Sequence, residues 1–125
     1  MTNLANIDEF KAELESLEAI YREYIGGEMP KYYRPPEGRF DKKSMEYANT
    51  LGYKTIFWSF AYADWDNNSQ MSPQKAKQKI MDNIHNGAVI LLHPTSATNA
   101  EILGEVIREL KSQGYRFGTL DELTA

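Results

Sequence analysis

Ala88-Val89-Ile90-Leu91-Leu92-His93-Pro94 is an unbroken apolar run closed by an imidazole and a proline. Lacking polar alternation, it predicts a strand covered on both faces, as in a parallel sheet flanked by helices. Pro94 has no N–H to give a ladder and ends the strand. On the N-terminal side, Ser72-Pro73 reads as a cap with a first-turn proline. Ala76, Ile80 and Ile84 then share one helical face, and Gly87 closes the segment. On the C-terminal side a helix is predicted from near Thr98, with Glu101 three positions on. Ile102, Val106, Ile107 and Leu110 form its apolar face and Gly114 its stop. A strand between two such helices is the repeating unit of an α/β fold.

Further out, Thr55-Ile56-Phe57-Trp58-Ser59 is rich in β-branched and aromatic residues and predicts a second interior strand. Tyr32-Tyr33 is a short strand ended by Pro35-Pro36. A helix follows from about Asp41, with Met45, Ala48 and Leu51 inward and Gly52 as terminator. Ile7, Phe10, Leu14, Leu17, Ile20, Tyr21 and Tyr24 recur at helical spacing between an Asn6/Glu9 capping box and Gly26-Gly27. After Gly114, Tyr115-Arg116-Phe117 predicts a last short strand and Leu120-Asp121-Glu122-Leu123 a final helical turn. The alternation of helix and strand predicts parallel strands with right-handed crossovers. They are fewer than the roughly eight that close a barrel.

The 125 residues fit a single domain, 1–125, and a composition 42% hydrophobic and 26% charged is that of a globular chain. A net charge of −4 with scattered Lys and Arg offers no basic field for phosphates, so nucleic acid is not an expected partner. With no cysteine, any metal ligand has to be His, Asp or Glu. No stretch has the length of a membrane span, and residues 1–8 lack the basic and apolar regions of an export signal. The expectation is a soluble chain without a signal peptide.

In α/β folds ligands bind beyond the carboxyl ends of the parallel strands. There the sequence places Arg34-Pro35-Pro36-Glu37-Gly38, then Ala61-Tyr62-Ala63-Asp64-Trp65, then His93-Pro94. Each has a bland alternative. Arg34 is also what a surface ion pair would use, Pro-Pro-x-Gly is also a stiff turn, Asp64 is also a loop cap, and Trp65 is also a core residue. His93 alone is also an inert hydrogen-bonded histidine. Tyr32, Tyr33, Phe57 and Trp58 read as core, and His85 as a partner of a helix C-terminus.

Taken together, Lys31-Tyr32-Tyr33-Arg34-Pro35-Pro36-Glu37-Gly38, Phe57-Trp58-Ser59-Phe60-Ala61-Tyr62-Ala63-Asp64-Trp65 and Leu91-Leu92-His93 resemble the third, fourth and fifth motifs of the carbohydrate esterase family 4 (NodB-like) polysaccharide deacetylases. The Trp-Ser-x-Ala-Tyr-x-Asp-Trp form resembles the branch of muramic-acid de-N-acetylases that prepare δ-lactam in spore peptidoglycan. The resemblance continues through Gly114-Tyr115-Arg116-Phe117 and Leu120-Asp121-Glu122-Leu123.

It implies a distorted (β/α) barrel, a divalent metal, usually zinc, on one Asp and two His, and hydrolysis of an N-acetylated sugar's acetamide by metal-bound water. A second Asp is the base. Carried onto this chain, it implies His93 as general acid, Asp64 as the residue that orients and tunes it, and Arg34 as the tether of the base. Trp65, Tyr33, Pro36, Gly38 and Leu91 would face the substrate.

The family's first two motifs, an Asp-Asp pair and His-x-x-x-His, belong upstream of the helix at 7–24, and the sequence contains neither. The resemblance therefore implies the C-terminal half of the domain, an α/β partial (β/α) barrel without a metal site of its own. The expected partners are an N-acetylated glycan such as peptidoglycan and either a separate N-terminal half or a second copy in a homodimer. The alternative is a catalytically inactive glycan-binding or self-associating module. Independently of the resemblance, a flavodoxin-like binding domain would need a Gly-rich phosphate loop, which is missing here.

Overall fold

Alternating apolar and turn-forming residues partition the chain into short parallel strands and amphipathic helices, seen in a computed structural model that describes residues 1–125. The elements are α1 (Ile7–Tyr24), β1 (Tyr32–Tyr33), α2 (Lys42–Thr50), β2 (Lys54–Thr55), β3 (Phe60–Ala61), α3 (Pro73–Asp82), β4 (Ile90–Leu91), α4 (Ala97–Ser112) and α5 (Leu120–Leu123). They fall into two units, Met1–Phe57 and Trp58–Ala125, each with its own core.

In residues 1–57, β1 and β2 pair in parallel, Tyr32 opposite Lys54 and Tyr33 opposite Thr55. Phe10, Leu14, Tyr33, Ala48 and Tyr53 are buried together. The Phe10 ring meets Tyr33 and Tyr47 edge-on at 5.6 and 5.8 Å, an arrangement that aligns positive ring edges with negative faces. Asn6 accepts the Glu9 N–H at the start of α1, while Glu9 reaches back to the Ala5 N–H. The predicted apolar face of α1 is only partly used: Leu17, Ile20 and Tyr24 are exposed, as is Met45 on α2.

In residues 58–125, β3 and β4 pair in parallel, Phe60 opposite Ile90 and Ala61 opposite Leu91. The core is aliphatic apart from Tyr62: Ala76 and Ile80 of α3 pack with Ile102, Val106 and Leu110 of α4. Ser72 caps α3 at the Lys75 N–H. The cap of α4 is Ser96, which accepts the Asn99 N–H, two residues before the predicted start.

Three expectations are corrected. The run 55–59 is not one strand. The Ile56 N–H extends the first ladder to the Tyr33 carbonyl, the Ser59 N–H goes to the Val89 carbonyl, and Phe57 between them is exposed rather than core. Tyr115-Arg116-Phe117 joins no ladder; Arg116 pairs with Glu122 at 2.8 Å and Phe117 is exposed. His85 lies beyond α3 with Nδ1 2.9 Å from the Asn86 carbonyl, and the C-terminal turn is bonded instead by Asn83 to the Lys79 carbonyl.

Candidate functional site

The parallel register of β3 and β4 sets the loops leaving their carboxyl ends side by side, one carrying Asp64 and the other His93. The His93 backbone N–H donates to Asp64 Oδ2 at 2.7 Å, and the ring Nδ1 lies 2.6 Å from Asp64 Oδ1. Both carboxylate oxygens thus bond to His93. Asp64 is 1% exposed whereas the His93 side chain is 34% exposed. The dyad is anchored in the interior and open at the imidazole.

Burial is the largest influence on the Asp64 carboxyl and pushes its pKa up. The His93 N–H, the His93 ring and the Asn99 amide together outweigh it and hold the group below its ordinary value. An ionised Asp64 can only accept, so the shared proton lies on His93 Nδ1 and Nε2 is the ring nitrogen free of Asp64.

Four polar residues that the sequence reading did not single out, Asn99, Tyr62, Ser96 and Gln70, surround the dyad. Asn99 Nδ2 donates to Asp64 Oδ2 at 2.6 Å and to the His93 carbonyl at 3.2 Å, and the Tyr62 hydroxyl donates to Asn99 Oδ1. Ser96 Oγ donates to Gln70 Oε1 at 2.6 Å, and Gln70 Nε2 donates to the Asp64 carbonyl at 3.1 Å and the Asp66 carbonyl at 2.8 Å. Asn99, Ser96 and Tyr62 are buried. The available signal was Ser96-x-x-Asn99, a cap followed by a polar residue at the third helical position; the helix start had been placed too late to read it.

Trp65, beside the dyad in sequence, is 65% exposed and so is not core; Leu91 is half-buried in β4. The other predicted residues cluster after β1. Tyr33 is buried with its hydroxyl unpaired, Pro35 is buried, and Arg34 is exposed. Pro36–Gly38 form a single 3₁₀ turn in which Glu37 takes a left-handed φ of 57°. That conformation strains a residue with a Cβ and is common where a loop backbone is fixed for a purpose.

A metal held by this chain would need three or more converging His, Asp or Glu side chains. No such group exists. His93 Nδ1 is engaged by Asp64, and His85 by a backbone carbonyl. The residues present do not fit the site of one Asp and two His that the resemblance implies for the complete domain.

Residues 1–56 match the family model described as polysaccharide deacetylase. Over 116 residues the chain is 38% identical to the peptidoglycan-N-acetylmuramic acid deacetylase PdaA of Bacillus subtilis, covering 93% of this chain and 44% of that protein. An uncharacterised 30.6 kDa protein of Geobacillus stearothermophilus is 42% identical with the same coverage. The solved structure of Bacillus subtilis PdaA, a family 4 carbohydrate esterase, is similar with a TM-score of 0.90 at 37% identity, over 95% of this chain and 51% of that one. A family 4 pseudoenzyme from Bacillus anthracis is similar with a TM-score of 0.83 at 28% identity, over 98% and 42%. The chain spans less than half the length of the curated relatives it matches.

Proposed function

Because this chain belongs to the polysaccharide deacetylases, whose α/β fold it carries in part, we propose that residues 1–125 contribute the proton-donating, substrate-facing side of a glycan N-deacetylase site. The substrate class is an N-acetylated glycan of the peptidoglycan type, the class named for PdaA. The observation that carries the reading is the partly exposed His93 ring locked through Nδ1 to a buried Asp64.

In the hydrolysis a C–O bond forms at the acetyl carbon, the C–N bond breaks, and the departing amine nitrogen takes a proton as acetate leaves. His93 delivers that proton from Nε2 in its doubly protonated form and returns to the neutral Nδ1–H ring, with Asp64 keeping Nδ1 turned inward throughout. Arg34 tethers the base that takes the proton from the attacking oxygen. Trp65 and Leu91 are the sugar contacts on the side of the dyad, where the exposed Trp65 offers an apolar face, and Pro36 and Gly38 are those of residues 1–57; Tyr33, expected to face the substrate, is instead buried in the core of that unit. In this reading the nucleophile is activated by a complementary half that carries the family's first two motifs. The exposed Leu17, Ile20, Tyr24 and Ile25 are a surface that a complementary half or a second copy would cover.

A second reading, an inactive glycan-binding module, draws on the same missing ligand set and on the name pseudoenzyme given to the Bacillus anthracis protein. Mixing the chain with a polypeptide that supplies Asp-Asp and His-x-x-x-His, in the presence of zinc and an N-acetylated muropeptide, separates the two. Release of acetate supports the deacetylase reading. Saturable muropeptide binding with no acetate released by a folded mixture supports the module.

A further inference from the structure

We propose that Asn99, in the first turn of α4, is a positioning residue that sets the Asp64 carboxylate so that Oδ1 is reserved for the His93 ring. The proposal rests on the reading of Asp64 and His93 as a working dyad, but its test does not require turnover.

A carboxylate packed between a ring N–H and a backbone N–H can rotate and exchange the two oxygens unless something distinguishes them. Asn99 does so: Nδ2 donates to Oδ2 alone, at 2.6 Å, so Oδ2 accepts both this amide and the His93 N–H. Oδ1 is left with the ring. The amide is itself oriented. The Tyr62 hydroxyl donates to Asn99 Oδ1, which requires the NH₂ end to face Asp64. Burial, and then the nearby Asp64 charge, push the Tyr62 hydroxyl above its ordinary pKa, so it remains a donor. The second Nδ2 proton reaches the His93 carbonyl at 3.2 Å, tying the His93 backbone to the same amide.

Asn99 is also fixed from behind. Its N–H donates to the Ser96 cap, which is bonded to Gln70, whose amide holds the Asp64 and Asp66 carbonyls. Tyr62, Asn99, Asp64 and His93 form one directed chain of donors and acceptors, three of its members buried and its last partly exposed. Such a network is valuable only when every member is satisfied. A leucine at position 99 would serve the helix equally well and leave Oδ2 short of a donor.

The experiment is ¹⁵N NMR of the intact chain labelled at its histidines, of which there are only two, with His85 as internal control. The unsubstituted chain is expected to show neutral His93 as the Nδ1–H tautomer with a low-field, hydrogen-bonded proton. In Asn99→Leu the tautomer should move toward a mixture and the low-field proton should weaken or vanish. In Asn99→Asp, which sets a second carboxylate against the first, the change should be larger; Tyr62→Phe should give a smaller change in the same direction. His85 should not move in any of them. Where a turnover assay exists, Asn99→Leu should lower kcat by about 10- to 100-fold with KM little changed, by analogy with groups that orient metal-ligating histidines. A folded Asn99→Leu chain with the His93 tautomer and proton unaltered overturns the proposal. Should that variant not fold, an unaltered His93 in folded Tyr62→Phe overturns it equally.

Discussion

Two loops leave strand ends in this chain, and they are held by different means. After β1, the backbone does the positioning: Pro35 is buried, Pro36–Gly38 make one tight turn, and Glu37 sits in the left-handed region while Arg34 is exposed. After β3 and β4, side chains do it: Asp64 accepts from three donors, and the amides of Asn99 and Gln70 bind the loops that carry it and His93. A backbone-held loop tolerates loss of its side chains and resists changes in φ. A side-chain-held loop does the reverse.

The largest effect should come from the side-chain-held loop. Asp64→Ala strands the His93 N–H and the Asn99 amide in the interior, and an unfolding free energy lower by about 3 kcal/mol is expected from urea titration. In the other loop, Glu37→Ile forces a β-branched residue into the left-handed region and should cost about 1–2 kcal/mol. Arg34→Ala, at an exposed position, should stay within about 0.5 kcal/mol of the parent. If Arg34→Ala proved as damaging to stability as Asp64→Ala, the contrast between the loops would be wrong.

Acid sharpens the same contrast. A carboxylate held below its ordinary value adds stability above that value, and the contribution is lost as pH falls through the folded-state pKa. Asp64→Asn should therefore be less stable than the parent at neutral pH, and the gap should narrow below about pH 4. Glu18 supplies the corresponding group in residues 1–57. It is lowered first by its hydrogen bond from Lys31 and then by that from Tyr53, so acid should weaken this unit too, independently of Asp64. Amide exchange against pH in parent and Asp64→Asn would resolve the two contributions.

What could be read from the sequence follows the same division. The caps that open α1, α2, α3 and α4 are local signals, and those helices start close to where the sequence predicts, but α3 ends at Asp82, short of Ile84 and of the predicted stop at Gly87. The sequence places His93 directly after a strand signal and Asp64 five residues past another, and the roles expected of them come from the family resemblance rather than from those signals. Phe57 and Tyr115-Arg116-Phe117 were misread because β-propensity describes a residue's fit to a sheet but not whether a partner strand is present. Asn99 was missed for a related reason: a polar residue in a first helical turn suits a cap, and only the fold brings it against a carboxylate 35 positions away.

The central claim is that His93 is the proton donor of a deacetylase site. In an acetate-releasing assembly of this chain with a complementary half, the direct measurement is the rate of acetate release by His93→Ala beside that by His85→Ala. The account predicts a loss of about 10²–10⁴-fold for the first and parental activity for the second. Equal rates in the two variants would contradict it.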